Sequence, residues 1–431
     1  MNTKMQKQYG EMMFSKDTFC IIPWSTIQIN PDGSYKVCAF SGAGNGNDHG
    51  YSFGIDGRPM NVLTHSILEA MNSHYHKEVR LAQSKDQRHE ICRVCWDRDD
   101  SNKANEKSNS LRVNRSFYQL PDIENAINIK RAPIFLTPDG TINEPPISLD
   151  LRFTNTCNMK CIMCSSLYSS LWYEDEEKLY GRKRIDIEPQ PWHNSPIWWQ
   201  RFDEIKHRVK HIYLTGGEPF LVKGHDQLLD TLIESGFANT VTLEYDTNLS
   251  VINHKVMAKL KLFKKIVLSV SCDDIEDKYE LIRFPGKFDN ILTNLVRLKE
   301  NNFEVRHLSS CVGIYSLFAP IRLYDYFTKL GYDTYSFRFL RNPGHVDIAY
   351  LPVDIMDKVT EVYRNSNLPD KWKNYVYGYF DKYRGQFSDK ERMDHLYQFV
   401  KYMNDLDSIR GTNWKTTFPE VVELLQNKIN I

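Results

Sequence analysis

Three cysteines stand close together in the segment TNTCNMKCIMCSS, at Cys157, Cys161 and Cys164. A tight loop with this CxxxCxxC spacing, directly after a β-rich run, can direct three thiolates at three corners of one four-iron cluster and leave the fourth iron open. The amino and carboxylate groups of S-adenosylmethionine can chelate such an open iron. An electron passed to the sulfonium then breaks a carbon–sulfur bond and yields a 5′-deoxyadenosyl radical.

The alternative for these three cysteines is a zinc knuckle. A structural zinc site is normally closed by a fourth Cys or His, and no fourth ligand stands at ordinary spacing here. The sequence therefore favours the iron–sulfur interpretation.

The composition limits the other function classes. The chain has 431 residues, with 55 Lys plus Arg and 55 Asp plus Glu, 41% hydrophobic and 26% charged residues. A formal charge of zero argues against nucleic-acid binding through bulk positive charge, and the apolar content argues against a disordered polyelectrolyte. No apolar run approaches the roughly 18 residues that span a bilayer, and the first residues lack a signal-peptide core. We therefore expect a cytoplasmic protein without nucleic-acid or membrane partners, in which nine cysteines are unlikely to form disulfides.

The chain alternates β-rich runs with amphipathic segments from about residue 147, which is typical of βα units around a parallel sheet. Right-handed crossovers would curl six such strands into a partial (β/α)6 TIM-like barrel, whose reactive face lies where the strands end. The expected strands are ISLDLRF (147–153), HIYL (211–214), TVTLEY (240–245), KIVLSVS (265–271), EVRHLSSC (304–311) and DTYSFRFL (333–340).

The flanking regions differ from the barrel. STIQINPDGSYKVC predicts a hairpin around its PDG turn, followed by a helix striped by Leu63, Ile67, Met71, Tyr75 and Val79. The polar segment 101–109 reads as a linker, and the chain after Pro352 reads as helical. We predict an α/β protein with a small α+β iron–sulfur domain at 1–146, the barrel at 147–345 and a helical C-terminal extension at 346–431.

Motifs after the cysteines resemble the radical S-adenosylmethionine (radical SAM) superfamily, over roughly 147–340. LTGGEPFL resembles the family's GGE motif, and the resemblance implies that Gly216, Gly217 and Glu218 hold the methionine amino group. YDTNLS stands where relatives carry a TNG-like turn, with Leu249 in place of the glycine. Thr247 and Asn248 are then implied cofactor contacts.

Two further positions extend the resemblance. SCDD at 271–274 and YELIR at 279–283 are similar to the family's SxDG and hDxxR pair, although Asp274 replaces the usual glycine. The resemblance implies that Ser271 and Arg283 bind the cofactor's carboxylate.

The N-terminal cysteines resemble the auxiliary-cluster fold called twitch or SPASM. Cys20, Gly33 and Cys38 follow the pattern C, twelve residues, G, four residues, C, and Cys92 with Cys95 supplies a CxxC. Such modules usually follow the barrel, whereas this one precedes it. Four thiolates would close a four-iron cluster and suit electron transfer, and the alternative is a four-cysteine zinc ribbon. We expect two [4Fe-4S] clusters and S-adenosylmethionine as cofactors.

Three residues near the strand ends are candidates for chemistry on the substrate. Cys311 and Cys272 could each donate a hydrogen atom to a substrate radical, with Cys311 ahead, although free cysteines commonly just pack in a core. Asp273 could act as a base or a substrate anchor.

The resemblance implies an anaerobic enzyme in which the adenosyl radical removes a hydrogen atom from substrate. Dehydrogenation, crosslinking and epimerisation are all compatible with it. The expected substrate is a peptide or protein, with a small molecule such as an amino acid, sugar or nucleotide derivative as the alternative. A flavodoxin- or ferredoxin-like protein would supply electrons. A non-enzymatic iron–sulfur redox sensor is the rival from another class, but it explains neither the GGE motif nor the Ser271 to Arg283 spacing.

Overall fold

The computed structural model of the protein describes residues 18–42, 50–104, 137–181, 191–332 and 335–429. Eight strands in these ranges form one sheet, in the order β2-β1-β3-β4-β5-β6-β7-β8. The strands are β1 (Thr26–Ile29), β2 (Tyr35–Lys36), β3 (Ser148–Leu151), β4 (His211–Leu214), β5 (Thr242–Thr247), β6 (Lys265–Ser271), β7 (Val305–Val312) and β8 (Tyr335–Phe339).

Helices separate the successive strands from β2 onward and make up most of the C-terminal part. They are α1 (Ile22–Ser25), α2 (Ile67–Met71), α3 (His74–Ser84), α4 (Arg93–Ala104), α5 (Trp172–Tyr180), α6 (Pro196–Ile205), α7 (Lys223–Glu234), α8 (His254–Leu260), α9 (Glu276–Ile282), α10 (Phe288–Glu300), α11 (Ala319–Lys329), α12 (Val353–Arg364), α13 (Asp370–Tyr383), α14 (Asp389–Arg410), α15 (Trp414–Thr417) and α16 (Pro419–Leu425). Gly236 and Gly331, after α7 and α11, have φ of 75° and 80°, as expected of helix C-caps.

The mixed α/β architecture confirms the predicted fold class. Each of the six β-rich runs overlaps a strand, and HIYL and KIVLSVS match β4 and β6 from end to end. The first two residues of DTYSFRFL lie outside the described residues. Parallel registers such as Ser148↔His211 and Cys311↔Arg338 follow from the βα repeats, since a crossover helix returns the chain to the same edge.

The predicted hairpin is present and has a second role. β1 pairs with β2 in antiparallel register, Gln28↔Lys36, and Gly33 turns the chain at φ 81°. β1 also pairs in parallel with β3, so the hairpin extends the barrel sheet. The sequence pattern did not reveal this pairing, because strand alternation carries no information about which distant strand is the neighbour. The domain boundaries at 146 and 345 stay a prediction.

Two local expectations need correction. The stripe from Leu63 to Val79 does not form one helix, because the chain breaks between α2 and α3 at Asn72, whose amide donates to Ile142 O at 2.8 Å. The polar segment at 101–109 was predicted to be a linker, but its first four residues belong to α4. Its residues from 105 onward lie outside the described residues.

The chain forms two compact units. One contains residues 1–154, 187–244 and 258–266, and the other contains 155–186, 245–257 and 267–431. In the first, the aromatic run at 192–200 packs inward, with Trp192 and Trp198 fully buried. In the second, one face of β8 packs on α13, where Phe337 lies 4.9 Å from the Trp372 ring and Phe339 stacks on Tyr375 at 5.0 Å.

Candidate functional site

The CxxxCxxC loop is held by the helix that follows it. Trp172 Nε1 donates to Cys161 O at 3.1 Å, and the Glu176 carboxylate accepts from both the backbone amide (2.8 Å) and the hydroxyl (2.7 Å) of Ser166. Trp172, Asp175 and Glu176 share one buried face of α5, because residues three and four apart on a helix are neighbours. The loop therefore has a rigid helical support.

A buried cation lies beside the second cysteine. Arg283 Nη1 lies 3.9 Å from Cys161 Sγ, and its Nη2 lies 2.7 Å from Asp273 Oδ2. The other oxygen of Asp273 accepts from the backbone amide of Cys311 at 2.7 Å. Arg283 and Asp273 are 8% and 0% exposed. This carboxylate thus fixes the guanidinium next to the sulfur, and burial raises the pKa of Asp273 while Arg283 opposes that rise.

A polar network lies beside the first cysteine. Asn248 Nδ2 donates to Cys157 Sγ at 3.9 Å and to Asn158 Oδ1 at 3.1 Å. Its Oδ1 accepts from the amide and hydroxyl of Ser250, at 2.9 and 2.6 Å. The structure therefore brings Asn248, predicted from the TNG-like turn, to the cysteine loop.

The turn that carries Asn248 adopts an unusual backbone conformation. Leu249, which stands where relatives have glycine, has φ of 50° in the left-handed region and is fully buried. Its carbonyl accepts from Asn294 Nδ2 at 2.8 Å, and its amide donates to Thr247 Oγ1 at 2.9 Å. These buried contacts offset the strain of a non-glycine residue at positive φ.

These residues fit an iron–sulfur cluster. Burial raises the pKa of the Cys161 thiol to about 11 and raises that of Cys164 further, so a bound cation would be needed to deprotonate them at neutral pH. Arg283 and Asn248 direct N–H donors at sulfur, an arrangement that stabilises thiolate ligands. Arg283 Nε is buried without a hydrogen-bond partner among the described residues. Within that part of the chain no three Cys, His, Asp or Glu side chains are arranged to hold a single metal ion.

The GGE motif lies after β4 in the other unit. Gly216 has φ of 120°, and a Cβ there would lie 2.9 Å from Thr154 O. Gly217 donates its amide to the same oxygen at 3.1 Å. Only glycine fits position 216, because both the backbone conformation and the close approach exclude a side chain. Glu218 is fully buried, with its carboxylate accepting from the amide of Phe220 at 3.3 Å.

Two of the N-terminal cysteines lie in or directly beside an apolar cluster that includes Val79 of α3. Cys92 packs against the apolar cluster of Val37, Val79 and Ile91, and Cys38 follows Val37 directly in the chain. The amide of Gly42 donates to Ile91 O at 2.9 Å, which joins the loop after Cys38 to the segment that carries Cys92.

The remaining two N-terminal cysteines come before and after these residues in the sequence. Cys95 is buried in the first turn of α4, and Cys20 is half-buried. The segment after Cys20 is tied to α3 by Trp24 Nε1, which donates to Gln83 Oε1 at 2.7 Å. Cys92 itself and Trp24, four residues after Cys20, thus contact residues of α3.

The two cysteines near the strand ends have different environments. Cys272 is fully buried, and its thiol donates to Asp274 O at 3.3 Å. Cys311 is partly exposed and alternates along β7 with the buried Ser310 and Val312. Its neighbour in register on β8 is Arg338, an exposed residue. Burial raises the pKa of the Cys311 thiol to about 11, while the Arg338 cation opposes that rise.

Ser271, a predicted cofactor contact, and Asp274, which replaces the family's glycine, both have defined neighbours in the structure. Ser271 ends β6 and pairs in register with Ser309. The Asp274 carboxylate binds Arg322, whose Nε lies 2.8 Å from Oδ1, and caps the amide of Ile275 at 3.0 Å. This ion pair explains how an aspartate is accommodated where relatives carry glycine.

Sequence reasoning missed the residues that support the cysteine loop. Trp172, Asp175 and Glu176 have helical i, i+3, i+4 spacing, but in the acidic run WYEDEEK this pattern looks like a solvated face. Tyr402 and Arg410 of α14 also contact this part of the chain, at Ile162 and Asp175. No local sequence pattern around either residue indicates this contact.

Two family models match the chain. The model of the Radical SAM superfamily matches residues 151–318, which contain the cysteine loop, the GGE motif and Arg283. The chain therefore contains a radical SAM domain. A second model, SPASM, described as an iron–sulfur cluster-binding domain, matches residues 20–96 of this radical SAM protein. The predicted family and cofactors, S-adenosylmethionine and [4Fe-4S] clusters, are thereby confirmed, and the residue assignments stay a prediction.

The comparison with solved structures gives more distant matches. The structure of anSMEcpe with bound AdoMet and Cp18Cys peptide has 16% identity and a TM-score of 0.35, covering 51% of this chain and 59% of that one. Streptococcus suis SuiB bound to S-adenosylmethionine has 17% identity and a TM-score of 0.38, covering 68% and 64%. The radical SAM protein thus spans less than two thirds of the length of these proteins. The search of curated proteins found no significant match.

No helix within the described ranges has the length and apolar character needed to cross a bilayer.

Proposed function

We propose that this radical SAM protein abstracts a hydrogen atom from a peptide or protein substrate. When bound, the cluster and S-adenosylmethionine supply a 5′-deoxyadenosyl radical by one-electron cleavage of a carbon–sulfur bond. The observation that carries the proposal is the convergence of Arg283 and Asn248 on the sulfurs of Cys161 and Cys157. This arrangement suits three thiolates that hold a cluster with an open iron.

The other motif residues have binding roles in this proposal. Gly216, Gly217 and Glu218 hold the methionine amino group, since the glycines allow close backbone approach and the carboxylate can accept from an ammonium. Ser271 and Arg283 bind the methionine carboxylate, with the guanidinium held in place by Asp273. Asp273 is therefore a positioning residue in this proposal, and it is not a base.

Cys311 is the favoured hydrogen-atom donor. Cys311 is partly exposed as a residue, whereas Cys272 is fully buried and donates to Asp274 O. The face of β7 that carries Cys311 is opposite to the face of Val312, whose neighbour in register, Phe339, packs on α13. Donation moves one hydrogen atom from the thiol to a substrate carbon radical and leaves a thiyl radical, which a reductant must restore.

The deciding experiment is anaerobic reconstitution with iron and sulfide, followed by dithionite and S-adenosylmethionine. We expect 5′-deoxyadenosine by mass spectrometry, and none from the matched variant Cys157→Ala/Cys161→Ala/Cys164→Ala. Absence of 5′-deoxyadenosine from protein that carries the reduced cluster would contradict the proposal and favour a redox sensor. Replacing dithionite by a reduced flavodoxin or ferredoxin tests the proposed electron donor.

The substrate class has its own test. The peptide assignment is supported by the resemblance to peptide-maturing enzymes with auxiliary clusters. A peptide synthesised from any short reading frame beside the gene is the probe, incubated with the reconstituted enzyme in D₂O. Loss of a hydrogen pair indicates dehydrogenation or crosslinking, and gain of a deuterium that Cys311→Ala abolishes indicates epimerisation with Cys311 as donor. An unchanged peptide favours the small-molecule alternative.

A further inference from the structure

The C-terminal helix α14 reaches the cysteine loop at two points. At the first, Tyr402 Oη donates to Ile162 O at 2.8 Å, and both residues are buried. Ile162 lies between Cys161 and Cys164, so this bond fixes the backbone inside the CxxC half of the loop. The Tyr402 ring also packs on His345, with centroids 3.8 Å apart.

At the second point, a buried carboxylate joins α14 to the loop. Asp175 of α5 accepts from Lys160 Nζ at 2.6 Å and from Arg410 Nε at 2.7 Å. The side chains of Asp175 and Arg410 are 0% and 2% exposed. Lys160 directly precedes Cys161, and its amide donates to Phe284 O at 2.6 Å. The ion pair therefore connects the end of α14 to the residue beside the second cysteine.

The same guanidinium supports the loop through an aromatic ring. Arg410 lies over the Trp172 ring at 4.7 Å, and Trp172 donates to Cys161 O at 3.1 Å. Arg410 thus contacts Asp175 and Trp172, and each of these binds Cys161 or its neighbour.

We propose that two residues of α14 are positioning residues that hold the CxxxCxxC loop in its cluster-binding geometry: Tyr402 acts directly on Ile162, and Arg410 acts through Asp175 and Trp172. The inference rests on the cluster-binding part of the proposed function. It assigns the C-terminal extension a role at the barrel cysteines. Arg410 also places a second buried cation near the loop, besides Arg283, and buried cations favour the more negative, reduced form of a cluster.

Simple packing of α14 would not need these groups. A buried ion pair carries a large desolvation penalty, and apolar residues of similar size would hold two helices as well or better. The ordinary alternative is visible elsewhere in this unit, where Arg384 and Asp357 form a 2.6 Å pair with both side chains more than one third exposed. That pair provides a matched control.

The test compares Arg410→Gln, Arg410→Lys and Arg384→Gln in the full-length reconstituted protein. Iron release to a ferrous chelator is followed, and the phase that is missing from Cys157→Ala/Cys161→Ala/Cys164→Ala is assigned to the barrel cluster. We expect Arg410→Gln to speed this phase by more than about tenfold, because removing one partner leaves the other charge buried and unpaired. Arg410→Lys should restore most of the retention, and Arg384→Gln should match the wild type.

The second readout is the reduction potential of the barrel cluster, followed by its electron paramagnetic resonance signal. Arg410→Gln should lower the potential and Arg410→Lys should leave it near the wild-type value, a pattern that a loss of packing alone would not give. Potentials and release rates for Arg410→Gln equal to those of Arg384→Gln would overturn the inference.

Tyr402→Phe keeps the test decisive if Arg410→Gln does not fold. It removes one hydroxyl and keeps the ring on His345, and we expect release about fivefold faster, the equivalent of one buried hydrogen bond. Release at the wild-type rate would overturn the inference. Failure of the wild-type protein to take up iron at the barrel cysteines would instead contradict the proposed function itself.

Discussion

The two cysteine regions of this protein are assembled in different ways. Cys157, Cys161 and Cys164 lie in one short loop, which is supported by hydrogen bonds and ion pairs from α5 and α14. Cys20 and Cys95 mark the ends of a set spread over most of the first hundred residues, in which Cys92 packs on a small apolar cluster and Trp24 is bound to α3. The loop therefore depends on buried polar groups, and the N-terminal set depends on hydrophobic packing.

This difference predicts separate vulnerabilities. A short loop closes at little entropic cost, so its geometry depends on the groups that position its backbone. Widely spaced ligands come together only when the intervening chain folds, so a core substitution can disperse them.

The largest expected effect comes from removing the cysteines themselves. Cys157→Ala/Cys161→Ala/Cys164→Ala should abolish 5′-deoxyadenosine formation, whereas Cys92→Ala/Cys95→Ala should lose about four irons per chain and keep it, because a closed auxiliary cluster has no open iron. Iron analysis and mass spectrometry give both results. Loss of cleavage in both variants would show that the two regions are not independent.

A core substitution should break the N-terminal region alone. Ile91→Ala removes a side chain from the cluster of Val37 and Val79 and should cost about 2–5 kcal/mol in that region. We expect loss of the auxiliary iron with the barrel iron retained. The control is Val296→Ala on α10, where the side chain is exposed and iron content should not change. Equal loss from both cysteine sets would contradict the proposed difference.

A substitution at Gly216 should affect S-adenosylmethionine binding. Gly216→Ala places a Cβ 2.9 Å from Thr154 O at φ 120°, and we expect S-adenosylmethionine affinity to fall by about tenfold or more. Gly236→Ala is the matched control, since Gly236 also has positive φ but a Cβ added there would meet no atom within 4 Å. It should cost about 1 kcal/mol of stability and leave affinity unchanged. Calorimetric titration of loaded protein measures the affinity, and equal affinities in the two variants would refute this role of Gly216.

The smallest effect concerns pH. Burial lowers the pKa of His225 from 6.5 to about 4, even though Asp226 acts to raise it. Between about pH 6.5 and 4, His225 is therefore protonated in the unfolded chain but neutral in the folded protein. The free energy of unfolding should fall as pH decreases through this range. His225→Phe should remove up to about 3 kcal/mol of this dependence. Urea denaturation at pH 7 and pH 4.5 gives the free energy of unfolding at each pH. An equal change in this free energy between the two pH values for variant and wild type would contradict the burial argument.

The second unit allows the same test at α14. Burial lowers the pKa values of His345 and His395 to about 4, and His345 packs on Tyr402. The sign is the same, since both imidazoles stay neutral in the folded state and protonate in the unfolded chain below about pH 6.5. In His345→Phe, the release of iron from the barrel cysteines should therefore depend less steeply on pH below about 6.5. An unchanged pH dependence would show that His345 does not affect the cysteine loop.

Much of the fold could be predicted from the sequence, because strand and helix periodicity is local. β4 and β6 coincide with their predicted runs, and the glycines after α7 and α11 end those helices as expected. The break at Asn72 could not be predicted, because its amide binds Ile142 O from a segment 70 residues away. The parallel pairing of β1 with β3 was hidden for the same reason.

The sequence by itself determined the cysteine spacing, the GGE motif and the positions of the strands along the chain. Each of these features depends only on residues that are close together in sequence. Only the tertiary structure decided how the loop is supported. Arg410 and Asp175 are 235 residues apart, and their pairing depends on how α14 packs. Asp273, a candidate base in the sequence, faces Arg283 because β6 and α9 bring the two together. Local patterns specify which groups are present, and long-range packing specifies which charges and hydrogen bonds those groups meet.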